Sequence, residues 1–308
     1  MDIVISFVDC KDKVWMKSYL KTIHTPYGRF PYIQFYNHNT IKYVLRGIDE
    51  FIPYVNNVFI VVSNIEQVPD YIDQSKVKIV LHKDFIPEKY LPLFNSTAIE
   101  LFLHKIPGLG EEFVYFNDDM IPISHIPYED LFKDGIPCIS FNTDQRGKSL
   151  TYEQCMTYKH CVLSFYEAKN TVEILTGEEI DTKDIELQIP QHSPTPLLKS
   201  VCDEASNIER HNSLLDFYIT NIRSPRNINQ YYWADILYFK KQYTESNIKS
   251  HYTSTKDIKD VDIEEVKKEN KFICINDYGS DEMSLSQIDD IIKLKLDTIF
   301  KNKSKYEK

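Results

Sequence analysis

One stretch decides the fold prediction: Glu111-Glu112-Phe113-Val114-Tyr115-Phe116-Asn117-Asp118-Asp119-Met120. Its apolar half has the aromatic and β-branched composition of a buried strand, and it ends abruptly in Asn117-Asp118-Asp119. In an α/β sheet, ligands bind outside the carboxyl ends of the strands. Two adjacent carboxylates repel each other without a cation, and hard oxygen ligands favour Mg²⁺ or Mn²⁺, which bridge substrate phosphates. The competing interpretation is an Asx-rich turn that only ends the strand, and the tripeptide alone does not decide between the two.

The rest of the chain alternates apolar strands with amphipathic helices. Strand composition recurs in residues 2–8, 58–62, 77–81, 136–141 and 272–275. Helical spacing of apolar residues is found in residues 41–51, 95–106, 151–170, 229–243 and 285–300. This alternation predicts βαβ units, and therefore an α/β fold with a mainly parallel central sheet and helical insertions.

The domain organisation predicted from the sequence is simple. Residues 1–308 are expected to form a single catalytic domain, because neither an internal repeat nor a long linker interrupts them. Residues 142–190 are a candidate helical and acidic insertion. Within it, residues 171–187 are expected to form an exposed excursion. Residues 253–270, rich in Lys, Asp and Glu, predict a charged surface segment. Residues 281–308 predict a C-terminal helix with a frayed, Lys-rich end.

Composition excludes several functional classes. Hydrophobic residues make up 42% of the 308 residues and charged residues 27%, which is ordinary for a globular protein. The net charge of -10 and the lack of a basic stripe argue against nucleic-acid binding. An acidic protein that handles phosphates needs a metal or a few focused cationic side chains. Glycine-rich phosphate loops are not predicted, because the chain has 8 glycines and neither GxGxxG nor GxxxxGK[ST].

Three features of the sequence indicate the cellular compartment: the six cysteines, the apolar runs and the N-terminus. The cysteines are scattered without a CxxC pair or zinc-type spacing, so they predict buried thiols. No signal peptide is recognised, and the apolar runs are too short to span a bilayer. The expected location is cytoplasmic, with at most peripheral contact at the inner face of the cell membrane.

Polar residues end or begin other predicted elements. Asp9 ends the first strand, where it would face a nucleotide or cap the next segment. Asn95 and Ser96 precede a predicted helix, whose N-terminus would attract a phosphate or simply be capped by them. Asn276 and Asp277 end the last strand, either as a second polar strand end at the site or as an Asx turn.

Four cationic side chains are further candidates. His192 lies in a Pro-bracketed loop before a predicted helix at 197–201, and it either acts on a proton or is structural. Arg223 offers a bidentate fork for a phosphate, with Arg226 as the fallback. Arg46 either reaches a diphosphate from its helix or remains a surface charge.

Four separated blocks, taken together, match one family. The first is Ile3-Val4-Ile5-Ser6-Phe7-Val8-Asp9. The second and most specific comprises 41–46, 82–84, 93–100 and 115–120. The third is His192-Ser193-Pro194-Thr195-Pro196 with Arg223-Ser224 beyond it, and the fourth is 272–277. In this order they resemble the Stealth family of sugar-1-phosphate transferases, which includes bacterial capsular and exopolysaccharide phosphotransferases and the catalytic part of the lysosomal-enzyme GlcNAc-1-phosphotransferase. The first block departs from the family's VYTWVDG, since Ser6-Phe7 replace Thr-Trp and Cys10 replaces Gly.

The resemblance implies a Rossmann-like nucleotide-sugar-binding fold and a specific reaction. A hexose-1-phosphate, such as GlcNAc-1-phosphate, would pass from a UDP-sugar to a hydroxyl of an oligo- or polysaccharide acceptor, free or lipid-linked, with release of UMP. Mg²⁺ or Mn²⁺ is expected on Asp118, Asp119 and Asp277. The expected catalytic residues are Asp118, Asp119, His192 and Arg223. The expected substrate-binding residues are Asp9, Arg46, Asn95, Ser96, Asn117, Arg226 and Asn276.

Several alternatives stay open at this level. Either His192 or Asp119 is the general base. The reaction could instead release UDP, as in a metal-dependent glycosyltransferase, or the chain could be a non-catalytic nucleotide-sugar or glycan-binding protein. The acidic excursion at 171–187 and the aromatic segment at 231–243 are candidate acceptor contacts.

Overall fold

The computed structural model describes residues 1–23, 32–142, 159–181, 187–277 and 283–308. Its α-helices are α1 (Lys13–Ile23), α2 (Thr40–Phe51), α3 (Ser96–Glu100), α4 (Lys159–Thr176), α5 (Lys199–Ser206), α6 (Glu209–Tyr218), α7 (Tyr231–Phe239), α8 (Ile263–Glu269) and α9 (Leu285–Leu296). Its strands are β1 (Asp2–Ser6), β2 (Val58–Val62), β3 (Lys78–Leu81), β4 (Glu112–Asn117), β5 (Met120–Pro122), β6 (Phe132–Lys133), β7 (Ile136–Ile139), β8 (Thr195–Leu198), β9 (Thr244–Glu245), β10 (Ser250–Ser254) and β11 (Phe272–Asn276).

The central sheet is mainly parallel, as the sequence predicts. Its strand order is β3-β2-β1-β4-β8; the first four strands are parallel, and β8 runs antiparallel to β4. Ile5 pairs with Ile60 on one side and with Phe116 on the other, which aligns the carboxyl ends of three strands. The mixed α/β fold with a parallel centre is therefore confirmed.

Helices and a smaller sheet cover both faces of this sheet. Ile3 and Ile5 pack in a cluster with α2, β5, β11 and α9, whereas Val4 packs in a cluster with α3 to α7. Strand residues buried on both faces explain the near-continuous apolar runs in the sequence.

The smaller sheet determines where the acidic residues lie. Its strand order is β10-β11-β5, and β5 runs antiparallel to β11. The chain leaves the large sheet at Asn117 and enters the small one at Met120. Asp118 and Asp119 therefore form the turn between two sheets, which supplies the bend that two adjacent carboxylates need if both are to face one site.

Two sequence predictions of local structure are wrong. Residues 195–198 form strand β8, so His192 precedes a strand and α5 begins only at Lys199. α4 continues to Thr176 and buries Thr171 and Val172, so the first part of the 171–187 segment is core rather than excursion. Residues 143–158 and 182–186 of the candidate insertion lie outside the described residues.

The end of the chain is packed rather than frayed. After α9, Tyr306 is buried, its carbonyl accepts from the Asp73 amide at 2.8 Å, and the Lys308 amide donates to the Tyr71 carbonyl at 2.8 Å. Arg46 donates from Nε and Nη2 to the two carboxylate oxygens of Glu307 at 2.7 and 2.9 Å. We call residues 304–308 the C-terminal clasp, because they join α2 to the loop after β2.

We expect Glu307→Gln to lower the free energy of unfolding by roughly 3 kcal/mol, because it removes the carboxylate that contacts the buried Arg46 guanidinium and leaves only Asp297, at 4.0 Å, as a counter-charge. Chemical denaturation would measure the loss. The matched control is Glu269→Gln, which removes an exposed ion pair with Lys249 and should change stability by less than about 1 kcal/mol. Equal effects of the two variants would contradict a stabilising clasp.

Candidate functional site

A cleft of about 640 Å³ lies at the carboxyl ends of β1, β4 and β11. Its polar lining includes Ser6, Gln34, Gln67, His82, Ser96, Asn117, Asp118, Asp119, Arg223, Asn276 and Asp277. The cleft thus brings together polar residues from segments far apart in sequence, at the sheet edge where α/β proteins bind ligands.

Three carboxyl groups dominate the electrostatics of the cleft. Burial raises the pKa of Asp118 well above its ordinary range, and repulsion from Asp119 and Asp277 adds to this effect. Burial also raises the pKa of Asp119. Burial, with repulsion from Asp119 and Asp289, raises the pKa of Asp277 to about 8. Ionising all three groups together therefore requires a positive charge at the site.

The carboxylates fit the divalent cation that the family resemblance implies. Oδ1 of Asp119 is buried and has no hydrogen-bond partner among the described residues. Buried polar atoms are nearly always paired, so a buried carboxylate oxygen without a hydrogen bond in a polar cleft is suited to coordinate a cation. An oxygen-only set from Asp118, Asp119 and Asp277 matches the preference of Mg²⁺ and Mn²⁺.

We expect the metal-free protein to lose stability as pH rises from about 4 to about 8 through Asp277. Its pKa in the folded state is raised from 3.8 to about 8, so the folded state binds more protons than the unfolded state in this range. The free energy of unfolding then falls with pH, by up to about 1.4 kcal/mol per pH unit for one carboxyl group. In thermal melts at several pH values, the stability of Asp277→Asn should change less with pH than that of the wild type. The exposed control Asp70→Asn should behave as the wild type does. If stability depended on pH in Asp277→Asn as it does in the wild type, the raised pKa of Asp277 would be contradicted.

His192 lies beside the acidic turn. Its Nε2 atom is buried without a hydrogen-bond partner among the described residues, and its ring meets Tyr252 edge-on at 5.4 Å between centroids. Burial lowers the pKa of His192, while Asp119 raises it and Arg223 lowers it further. A neutral imidazole with a free nitrogen can accept a proton.

Arg223 and Ser96 are joined by a hydrogen bond at the cleft. Arg223 is exposed, and its Nη2 donates to Ser96 Oγ at 2.6 Å. Both residues line the cleft, whereas Arg226 does not and instead lies over the Phe217 ring at 6.0 Å. The structure therefore favours Arg223 over the fallback.

Three predicted substrate-binding residues make structural contacts instead. Asn95 is buried, and its Nδ2 donates to the Thr220 carbonyl and to Asn227, which ties α3 to the loop that carries Arg223. Arg46 binds Glu307 of the C-terminal clasp and is not among the cleft residues. Asp9 caps its own turn by accepting from the Lys11 amide at 2.8 Å, next to the cleft residue Val8.

Sequence reasoning missed a histidine behind Asp277. His38 is buried, and its Nδ1 lies 2.6 Å from Asp289 Oδ1 on α9, while its Nε2 lies 3.5 Å from Asp277 Oδ1. Tyr36 donates to the other oxygen of Asp289 at 2.8 Å. Nothing in the local sequence marks this pair, because 251 positions separate His38 from Asp289.

We expect His38→Ala to weaken divalent-metal binding by about 10- to 100-fold, because residues that orient a metal ligand have effects of this size. Titration of the metal-free protein with Mn²⁺, followed by electron paramagnetic resonance of the free ion, would measure the affinity. The exposed His125→Ala variant is the control. Unchanged Mn²⁺ affinity in His38→Ala would show that Asp277 does not depend on the histidine.

An aromatic wall was also missed. Trp15, Phe35 and Phe94 line the cleft, with ring centroids 5.0 Å apart for Trp15–Phe35 and 5.3 Å apart for Trp15–Phe94. By contrast, Tyr231 and Tyr232 of the predicted acceptor segment at 231–243 are buried in α7 and are not among the cleft residues.

The comparisons with known proteins agree with the site. Residues 34–138 match conserved region 2 of the Stealth proteins. The chain is similar to a capsular polysaccharide phosphotransferase of Neisseria meningitidis serogroup B, with 40% identity over 39% of this chain and 34% of that protein. Another relative is such a phosphotransferase of Haemophilus influenzae, with 29% identity over 74% of this chain and 62% of that protein. A third, from Streptococcus thermophilus, is 35% identical over 44% of this chain and 59% of that protein.

The extent of these matches is limited. The chain spans from about a third to about three fifths of the length of these curated relatives. Among solved structures, apo mouse xyloside xylosyltransferase 1 aligns with 92% of this chain and 98% of that chain at 11% identity, but its TM-score of 0.38 carries no functional argument. Within the described part of the chain, helices with the length and apolarity needed to cross a membrane are absent. Conserved region 2 contains the acidic turn at Asp118-Asp119 and three of the five strands of the central sheet, so over residues 34–138 the chain resembles the Stealth proteins.

Proposed function

We propose that this chain transfers a hexose-1-phosphate from a UDP-sugar to a hydroxyl group of a glycan, forming a phosphodiester and releasing UMP, in the synthesis of capsular or exopolysaccharide. One observation carries the proposal: Asp118, Asp119 and Asp277 line the same cleft as Arg223 and lie beside His192, whose Nε2 has no hydrogen-bond partner in the described part of the chain. The names of the relatives, capsular polysaccharide phosphotransferases, support the reaction class.

Donor binding is assigned to the acidic residues and the arginine. Asp118, Asp119 and Asp277 would hold Mg²⁺ or Mn²⁺, and Arg223 would bind a phosphoryl oxygen with its guanidinium fork. When bound, the cation would neutralise charge on the phosphoryl oxygens. Ser96 would position Arg223 through the bond that joins them. Asn117 and Asn276, at the ends of β4 and β11, offer amides to the donor.

Acceptor activation is assigned to His192. The acceptor hydroxyl would give its proton to the neutral imidazole as its oxygen attacks the sugar-bearing phosphorus. The bond between that phosphorus and the bridging oxygen would break, and UMP would leave. Proton transfer of this kind contributes about 10²- to 10⁴-fold to a rate, and the remaining acceleration would come from positioning and charge stabilisation.

The test is to identify the nucleotide product. The protein would be incubated with UDP-GlcNAc and related UDP-sugars, Mg²⁺ or Mn²⁺, and candidate oligosaccharide acceptors, and UMP would be resolved from UDP. UMP formed with wild-type protein and with Asp70→Asn, but not with Asp119→Asn, would support the proposal. UDP as the product would mean glycosyl transfer, and the proposed reaction would then be wrong.

A further inference from the structure

Asp119, His192 and Cys274 form a cluster that the reaction does not fully use. Their ligand atoms all lie within 4.8 Å of one another, and Cys274 Sγ lies 3.4 Å from Asp119 Oδ2. They come from the turn between β4 and β5, the loop before β8, and the middle of β11. Cys274 reaches Asp119 because it pairs in register with Met120, the next residue after the turn.

The hydrogen bonding of this cluster is incomplete. Asp119 Oδ1 and His192 Nε2 are both buried, and neither has a hydrogen-bond partner in the described ranges. The thiol of Cys274, which is fully buried, is a weak donor to the second Asp119 oxygen. Two unpaired buried atoms around one point, with a thiol hydrogen beside them, leave space for a cation bound by all three residues.

The donor set differs in chemistry from the carboxylate set. One oxygen, one nitrogen and one sulfur ligand suit Zn²⁺, which typically takes three protein ligands and keeps a fourth position for water or substrate. Imidazole and thiolate favour Zn²⁺ over Mg²⁺, which prefers oxygen and retains its waters. Asp119 belongs to both sets and also lines the cleft, which gives an ion a route to the cluster.

We propose that Asp119, His192 and Cys274 bind Zn²⁺, or another thiophilic divalent cation, and that this ion inhibits the enzyme. Binding replaces the thiol hydrogen of Cys274, which leaves as a proton. Inhibition follows because Zn²⁺ occupies the Asp119 ligand needed by Mg²⁺ and the His192 nitrogen needed by the acceptor. The binding rests on the geometry alone, whereas the inhibition rests on the proposed function.

The first experiment measures binding without any assay of activity. Metal-free protein would be titrated with Zn²⁺ against a fluorescent chelator, and with Co²⁺ to detect the near-ultraviolet absorption of a cobalt–thiolate bond. We expect one Zn²⁺ per chain, and an affinity at least about 10-fold weaker in Cys274→Ser and in His192→Ala. Cys202→Ser, which alters a buried thiol in the other core cluster, is the matched control and should bind as wild type does.

Two results would overturn the site. One is the absence of a thiolate band with Co²⁺ in the wild-type protein. The other is a Zn²⁺ affinity that Asp118→Asn lowers while Cys274→Ser and His192→Ala do not, which would place the ion on the carboxylates instead. Circular dichroism of each variant would establish that it is folded, and two ligand variants keep the test decisive if one of them is not.

The second experiment tests inhibition at saturating Mg²⁺. The rate of UMP release, relative to the rate of the same protein without Zn²⁺, is expected to fall as Zn²⁺ is added to the wild type and to Cys202→Ser. In Cys274→Ser, about 10-fold more Zn²⁺ should be needed for the same inhibition. Equal sensitivity of Cys274→Ser and wild type would contradict inhibition through this cluster. If no nucleotide is released under any condition, the proposed function fails, while the binding experiment still decides the metal site.

Discussion

Asp119→Asn is expected to reduce turnover by on the order of 10³-fold or more without lowering the stability of the fold. Oδ1 of this carboxylate is buried and has no hydrogen-bond partner among the described residues, and its charge raises the pKa of both Asp277 and His192. Under the proposed function, losing its charge would remove a cation ligand and part of the stabilisation of the phosphoryl group, effects that cost about 10²- to 10³-fold each. Release of UMP under saturating donor and metal would measure the loss.

The thermal melt separates this result from simple unfolding. Burial disfavours the charge of Asp119, and its charge in turn raises the pKa of Asp118 and of Asp277. In the metal-free protein at pH 7 to 8, Asp119→Asn should therefore melt at the same temperature as wild type or higher, as expected where function is built at the expense of stability. Wild-type turnover by Asp119→Asn would remove this residue from the site.

His192→Ala is expected to reduce kcat by about 10²- to 10⁴-fold and to change the pH profile. Burial lowers the pKa of His192, so wild-type activity should rise with pH through a value below 6.5 and then level off near neutrality. A base must be deprotonated to act, and the acidic limb of the profile reports its loss as pH falls. The variant should lack this limb, and rate measurements from pH 5 to pH 8 would show it.

This measurement also decides between the two candidate bases. If His192→Ala keeps the acidic limb and loses only rate, Asp119 would be the base and His192 a partner of the phosphate. His125→Gln, an exposed histidine away from the cleft, should retain both the rate and the limb.

The sequence was sufficient for the centre of the fold. Strands such as 58–62 and 113–116 are buried on both faces, and this produces apolar runs that period and composition identify without tertiary information. Short strands that pair with residues distant in the sequence were harder to predict. β8 begins with Thr195-Pro196 and has only four residues, so its apolar end resembled the start of a helix.

The candidate site was predictable where it follows from strand ends. Asn117, Asp118, Asp119, Asn276 and Asp277 were found in this way, and all five line the cleft. Residues that depend on distant partners were not predictable. His38 is positioned by its contact with Asp289. Arg46 is not a substrate-binding residue of the cleft, because it is paired with Glu307. Neither effect has a local signal, because each pairing joins positions separated by most of the chain.

The C-terminal clasp also constrains the order in which the protein can be made. β1 pairs with β2 and with β4, which follow it within the first 117 residues of the sequence, so the sheet can form well before synthesis reaches residue 300. Arg46, on the helix between β1 and β2, can pair with Glu307 only after the 261 positions that separate them have been synthesised. His38 likewise waits for Asp289. The nascent protein can therefore acquire its central sheet early, but it acquires the supported acidic site only after α9 has been translated.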